Sequence, residues 1–95
     1  MKAYEIIFIL KPELDEETTT AQIDKFTNLI ANNQGEIVSV DKWGKRRLAY
    51  EIDDRREGFY TLVNFKGEAG TVKELERVLK ITDEVLRHLI TAKEE

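Results

Sequence analysis

The order of hydrophobic periodicities constrains this chain more than any single motif. Apolar residues recur at helical spacing in two stretches, Ile23, Phe26 and Ile30 in the first and Val72, Leu75 and Leu79 in the second. Segments with strand character flank each of them. Residues 3–10 are rich in β-branched and aromatic side chains, and Lys11-Pro12 stops them. Asp15 fits a helix N-cap, with Glu16 and Glu17 in the first turn where the helix dipole favours acids. That helix runs to about Asn33, and Gly35 is the expected stop. A second strand starts at Glu36-Ile37-Val38. It is expected to break near Trp43-Gly44, where glycine predicts a bulge or bend, and to resume through Leu48, Tyr50 and Ile52. Residues 53–58 read as a polar hairpin loop, residues 59–65 as the third strand and residues 67–70 as a loop. Thr71-Val72-Lys73-Glu74 fits a capping box opening the second helix. Asp83-Glu84 turns the chain into a fourth strand over residues 85–91, and Lys93-Glu94-Glu95 is a polar end. The order strand-helix-strand-strand-helix-strand predicts one α+β domain over residues 1–95. Its plan is ferredoxin-like (split βαβ), a four-stranded antiparallel sheet with two helices on one face.

Such a layer leaves the other sheet face open, and alternation assigns the sides. Tyr4, Ile6, Phe8 and Leu10 form the wholly apolar or aromatic set of the first strand and should face the helices. Phe59, Thr61, Val63 and Phe65 should do the same in the third. The open face then carries Ile7, Ile9, Tyr60 and Leu62. Single surface hydrophobes are common, but a contiguous apolar patch marks a protein-binding surface.

The chain has 19 acidic against 15 basic residues and a net charge of −4, which argues against bulk nucleic-acid binding. Any such role must rest on local charge. From Lys42 to Arg47 there are four cations and no anion. At a Debye length of about 8 Å, acids on the helix layer are largely screened from this spot. Trp43 adds a possible stacking surface for an exposed base. In a regular strand Arg46 and Arg47 point to opposite sides. The same residue types also suit an edge strand kept from aggregating by its charge. Gly58-Phe59-Tyr60 and Val63-Asn64-Phe65 partly match the aromatic motif of RNA-recognition sheets, but with spacing off by one, so no base stacking on the third strand is inferred.

Other chemistry is thinly represented. There are no cysteines, which removes disulfides and thiolate metal sites and suits a reducing cytosol. His88 is the only histidine, next to Arg87, and reads as a hydrogen-bonded residue at the sheet margin or as an RNA contact shared with Arg87. Ser39, the only serine, has no partner that would make it a nucleophile. Gly67 and Gly70 lack the Lys-Ser or Lys-Thr of a phosphate loop. The apolar run from Ile6 to Leu10 is too short for a signal peptide or a membrane span. No catalytic residue, metal, cofactor, membrane contact or small-molecule substrate is expected.

The run Trp43-Gly44-Lys45-Arg46-Arg47-Leu48-Ala49-Tyr50-Glu51-Ile52 resembles the family of the sixth protein of the bacterial small ribosomal subunit. The likeness covers essentially the whole chain, from Lys2-Ala3-Tyr4-Glu5 through Gly58-Phe59-Tyr60 to the segment from Leu79 to His88. It implies a ferredoxin-like fold, no catalytic activity and a cytoplasmic, ribosome-associated protein. It also implies pairing with the eighteenth protein of that subunit and binding, as a heterodimer, to the central domain of small-subunit ribosomal RNA. By position, Lys2, Lys42, Trp43, Lys45, Arg46, Arg47, Arg87 and His88 are the RNA-side candidates. The open-face residues Ile7, Ile9, Tyr60 and Leu62 are the candidate partner interface. Lys2 stands where arginine is frequent in the family, and the tail, ending at Glu95, is shorter than in some members. Two readings stand beside this one. A small enzyme on the same plan predicts a pocket lined by titratable groups, and a ligand-binding regulatory domain predicts self-association through the open sheet.

Overall fold

In a computed structural model, which describes residues 1–93, the chain forms six elements in the expected order. They are β1 (Lys2–Leu10), α1 (Glu16–Asn32), β2 (Glu36–Ile52), β3 (Arg55–Gly67), α2 (Ala69–Ile81) and β4 (Val85–Ala92). Of the polar end, Glu94 and Glu95 lie outside the described residues. The sheet is antiparallel with order β2-β3-β1-β4, so β1 is central and β2 and β4 are the edges.

Burial follows the predicted alternation. Ile6, Phe8 and Leu10 of β1 and Val63 and Phe65 of β3 are buried against Ile23, Phe26 and Ile30 of α1 and Leu75, Val78 and Leu79 of α2. Phe8 meets Phe26 edge-on with ring centroids 5.2 Å apart, and Tyr4 stacks on Phe65 at 5.5 Å. Truncating one of these core side chains to alanine costs about 2–5 kcal/mol, much of the stability of a domain this size.

Asp15 caps α1: its Oδ1 accepts the Thr18 N–H at 2.7 Å, which holds its carboxyl below the usual 3.8. At the other end the N–H groups of Asn33 and Gly35 both bond the Ile30 carbonyl. The left-handed residue there is Gln34, at φ 66°, not the expected Gly35. The second helix also departs from expectation. It starts at Ala69 with Glu68 as N-cap, so Thr71 lies inside the first turn and Gly70 is helical. Thr71 Oγ1 accepts the Glu68 N–H at 3.2 Å and donates to the Asn33 carbonyl at 2.6 Å, joining the start of α2 to the end of α1.

The largest correction concerns the middle hairpin. β2 is one continuous strand of 17 residues, without a break at Trp43-Gly44. The predicted bulge is there, as a register shift between Lys42 and Gly44 with Gly44 at φ 82°, and further shifts lie between Ile37 and Ser39 and between Arg47 and Ile52. A bulge lets the strand bend while most of its ladder survives. The expected six-residue loop contracts to Asp53-Asp54, both at positive φ (49° and 64°), with Ile52 paired to Arg55. Positive φ at both central residues matches the twist of the flanking strands. The Ile52–Arg55 pair therefore closes the tip, regular pairing resumes at Arg47–Glu57 after an irregular stretch over residues 48–51, and Gly58 falls inside β3.

Candidate nucleic-acid interface and the open sheet face

Register divides the basic segment between two sides. Lys42 pairs with Thr61 and Lys45 with Phe59, both residues of the helix-facing set. Lys42 and Lys45 accordingly line a cleft of about 390 Å³ beside the start of α1, floored by Leu14, Ile23 and Phe59. Arg46 pairs with Gly58 on the open side, and Arg47 with Glu57 on the helix side. The four cations therefore do not share a face. They do share an edge, because β2 is the outermost strand. Among the described residues none of them forms an ion pair with a carboxylate.

Trp43 is half-buried on the open side. Its ring stacks on Tyr60, with centroids 6.2 Å apart and planes 12° from parallel. The guanidinium carbon of Arg46 lies 5.3 Å from the centre of the same ring, and the indole N–H donates to Asp41 Oδ2 at 3.0 Å. The expected free stacking surface is thus already engaged by the protein's own side chains.

Arg87 and His88 are adjacent in sequence but opposite in space. Arg87 pairs with Ile9 and lies on the open side, exposed. There its guanidinium hydrogen-bonds the hydroxyl of Tyr50 and lies 5.3 Å from that ring's centre. His88 pairs with Phe8 and belongs to the helix-facing set, near Glu76 and Lys80 of α2. Burial pushes its pKa below 6.5. The contact expected to be shared by Arg87 and His88 is therefore not formed on one surface. Lys2, paired with Gly67, sits at the far end of β1 from the hairpin cations, roughly 25 Å away at the usual rise per residue.

The open face carries Ile7, Ile9, Tyr60 and Leu62, each half-buried. Part of the cover is internal. Trp43 lies on Tyr60, and Leu48 is buried where a side chain at Gly58 would touch both Leu48 and Ile9. Leu89, paired with Ile7 and 63% exposed, extends the apolar row to the edge. Alternation along β4 is the signal that would have found it. Asp41 and Tyr50 were also absent from the predicted site. Asp41 sits two residues before Trp43 on a strand, a spacing that puts both on one side. The partnership of Tyr50 with Arg87 depends on how the hairpin curves, which no short-range pattern encodes.

Comparison with known proteins decides the family. The family model described as Ribosomal protein S6 matches residues 3–92. The chain belongs to the ribosomal protein S6 family. It is 55% identical over all 95 residues, and the full length of the relative, to the small ribosomal subunit protein bS6 of Desulfitobacterium hafniense. Identity to bS6 of Moorella thermoacetica is 53%, covering 100% of this chain and 97% of the relative. The crystal structure of 30S ribosomal protein S6 from Thermotoga maritima superposes with a TM-score of 0.93 at 30% identity, covering 97% of this chain and 87% of that one. As a member of this family, the chain is a structural, non-enzymatic constituent of the small ribosomal subunit in the bacterial cytoplasm.

Proposed function

We propose that this chain binds the central domain of small-subunit ribosomal RNA as a heterodimer with the eighteenth protein of that subunit. The observation that carries the reading is a set of cations at an edge strand with no carboxylate partner among the described residues. Lys42, Lys45 and Arg47 lie on one side of β2 and Arg46 on the other. A sugar-phosphate backbone running along that edge reaches both sides, whereas one docked on the sheet reaches only one. Arg87, on the open side near the hairpin, extends this surface. Lys2 stands apart and serves a separate RNA segment, and His88, in the seam with α2, is the weakest of the RNA-side candidates.

A net charge of −4 opposes tight RNA binding by the chain alone. The partner supplies the missing positive charge, and the apolar row of Leu89, Ile7 and Leu62, with Ile9 and Tyr60 beside it, offers it a place to dock. The test is RNA affinity as a function of salt, with and without the partner. The double variant Arg46→Ala, Arg47→Ala should weaken the ternary complex and reduce the slope of log affinity against log salt by about 0.7 for each lost single-strand phosphate contact. An unchanged slope would make both arginines structural. Nanomolar binding by this chain alone at moderate salt would remove the need for the heterodimer.

A further inference from the structure

Three contacts on the open side form a chain that ends on one exposed cation. Asp41 fixes the Trp43 indole through a 3.0 Å hydrogen bond to its N–H. Tyr60 supports the ring from the neighbouring strand. Arg46 lies over that ring, exposed, with no carboxylate partner among the described residues. The bulge makes this possible, because the extra residue at Lys42-Gly44 brings Trp43 onto Tyr60 and still leaves Arg46 on the same side. A guanidinium over an aromatic ring loses rotamer freedom yet keeps its N–H donors at the ring's periphery.

We infer that Asp41 and Trp43 are positioning residues that hold the Arg46 guanidinium ready for one RNA phosphate, and that Trp43 does not serve as a surface for stacking a base. The inference rests on the RNA-binding reading above and specifies how one contact in it is prepared. It assigns an acid a favourable role in binding a polyanion, which simple charge counting does not. By charge alone, removing Asp41 should strengthen RNA binding. By positioning, removing its side chain releases the indole, frees Arg46 and weakens binding.

The experiment measures binding of an RNA fragment of the central domain to the full chain in complex with its partner protein, over a range of salt. Arg46→Ala should lower the salt slope by about 0.7–0.9. Asp41→Ala should weaken binding about two- to fivefold, the size that an exposed cation–π contact supports. Asp41→Asn keeps an oxygen that can accept the indole N–H and should bind at least as well as the parent. In the Arg46→Ala background, Asp41→Ala should cause no further loss. If Asp41→Ala tightens binding as Asp41→Asn does, the acid is merely a repulsive charge and the inference fails. It fails equally if the loss from Asp41→Ala persists without Arg46, since Asp41 would then act through the fold. If Arg46→Ala leaves the salt slope unchanged, the RNA-binding reading of this segment is what falls. These outcomes separate the two.

Discussion

Arg87 on β4 hydrogen-bonds the hydroxyl of Tyr50 on β2, so side chains from the two edge strands of the sheet meet on its open side. Two central strands lie between them, and the contact needs the β2-β3 hairpin to curl over the sheet. Tyr50→Phe removes the hydrogen bond and keeps the ring. It should cost about 0.5–1 kcal/mol of stability, the usual worth of one such bond. Amide exchange should accelerate around the hairpin tip and leave β1 unchanged. Uniform acceleration through the sheet would place the effect on global stability instead.

The tip itself is suboptimal. Asp54 sits at φ 64°, a region that a side chain enters at a cost and glycine enters freely. Asp54→Gly should raise stability by about 0.5–1 kcal/mol, read as a higher urea midpoint with an unchanged m-value. A fall in the midpoint would mean that the aspartate makes a compensating local contact.

Thr61 is fully buried in the core face of β3, and its hydroxyl has no hydrogen-bond partner among the described residues. Valine has nearly the same shape and no polar atom. Thr61→Val should stabilise the protein by about 1–2 kcal/mol, the penalty of an unsatisfied buried hydroxyl. A destabilisation in thermal or urea melts would show that the hydroxyl is satisfied in solution.

Two groups predict how stability varies with pH, in separate windows. Arg55 grips Glu13 with bonds from Nε of 2.9 and 3.1 Å and a further contact from Nη2, which lowers the Glu13 pKa from 4.5 to about 2. The stability from this pair is complete above pH 4.5 and fades as pH falls toward 2. Glu13→Gln should flatten the acid limb there, and added salt should shrink the difference because the pair is exposed. His88 acts higher. Its folded pKa lies below 6.5, so the unfolded chain takes up the proton first and stability declines as pH drops through 6.5. His88→Gln should lessen the decline between pH 7.5 and 5.5. An equally steep decline in that variant would assign it to other groups.

How far the sequence was legible depended on the range of the interaction. Period-two and period-3.6 patterns identified both helices, all four strands and the helix-facing set, because burial of Ile6, Phe8, Val63 and Phe65 enforces alternation. Element ends were less readable. The second helix started early because Thr71 works as the third residue of the first turn, and Gln34 adopted a backbone angle for which glycine is the usual choice. The hairpin was hardest. Asp-Asp is a weak turn signal, so six residues looked like loop where two suffice. The site suffered from the same gap. Clustering the cations was possible from sequence, but their division between faces followed from a bulge, and the links Asp41–Trp43, Trp43–Tyr60 and Tyr50–Arg87 are made by the folded hairpin.

The bulge between Lys42 and Gly44 has a consequence for which changes β2 tolerates. Just upstream of it, after the earlier shift at Ile37, the odd-numbered Ser39 and Asp41 pair with residues of the open side; downstream it is the even-numbered Arg46. The strand thus contains a frameshift in its inside-outside code, and the residues beyond it are spelled in the shifted frame. Substitutions at Lys45, Arg46 or Arg47 alter one letter each. Deleting a single residue from Lys42 to Gly44 would shift the letters that follow as far as Arg47, exchanging the sides of Arg46 and Arg47 and taking the buried Leu48 away from Ile9 on the open side. Length in this stretch is therefore held more tightly than composition, and an alignment gap placed there would signal a different surface, not a trimmed loop.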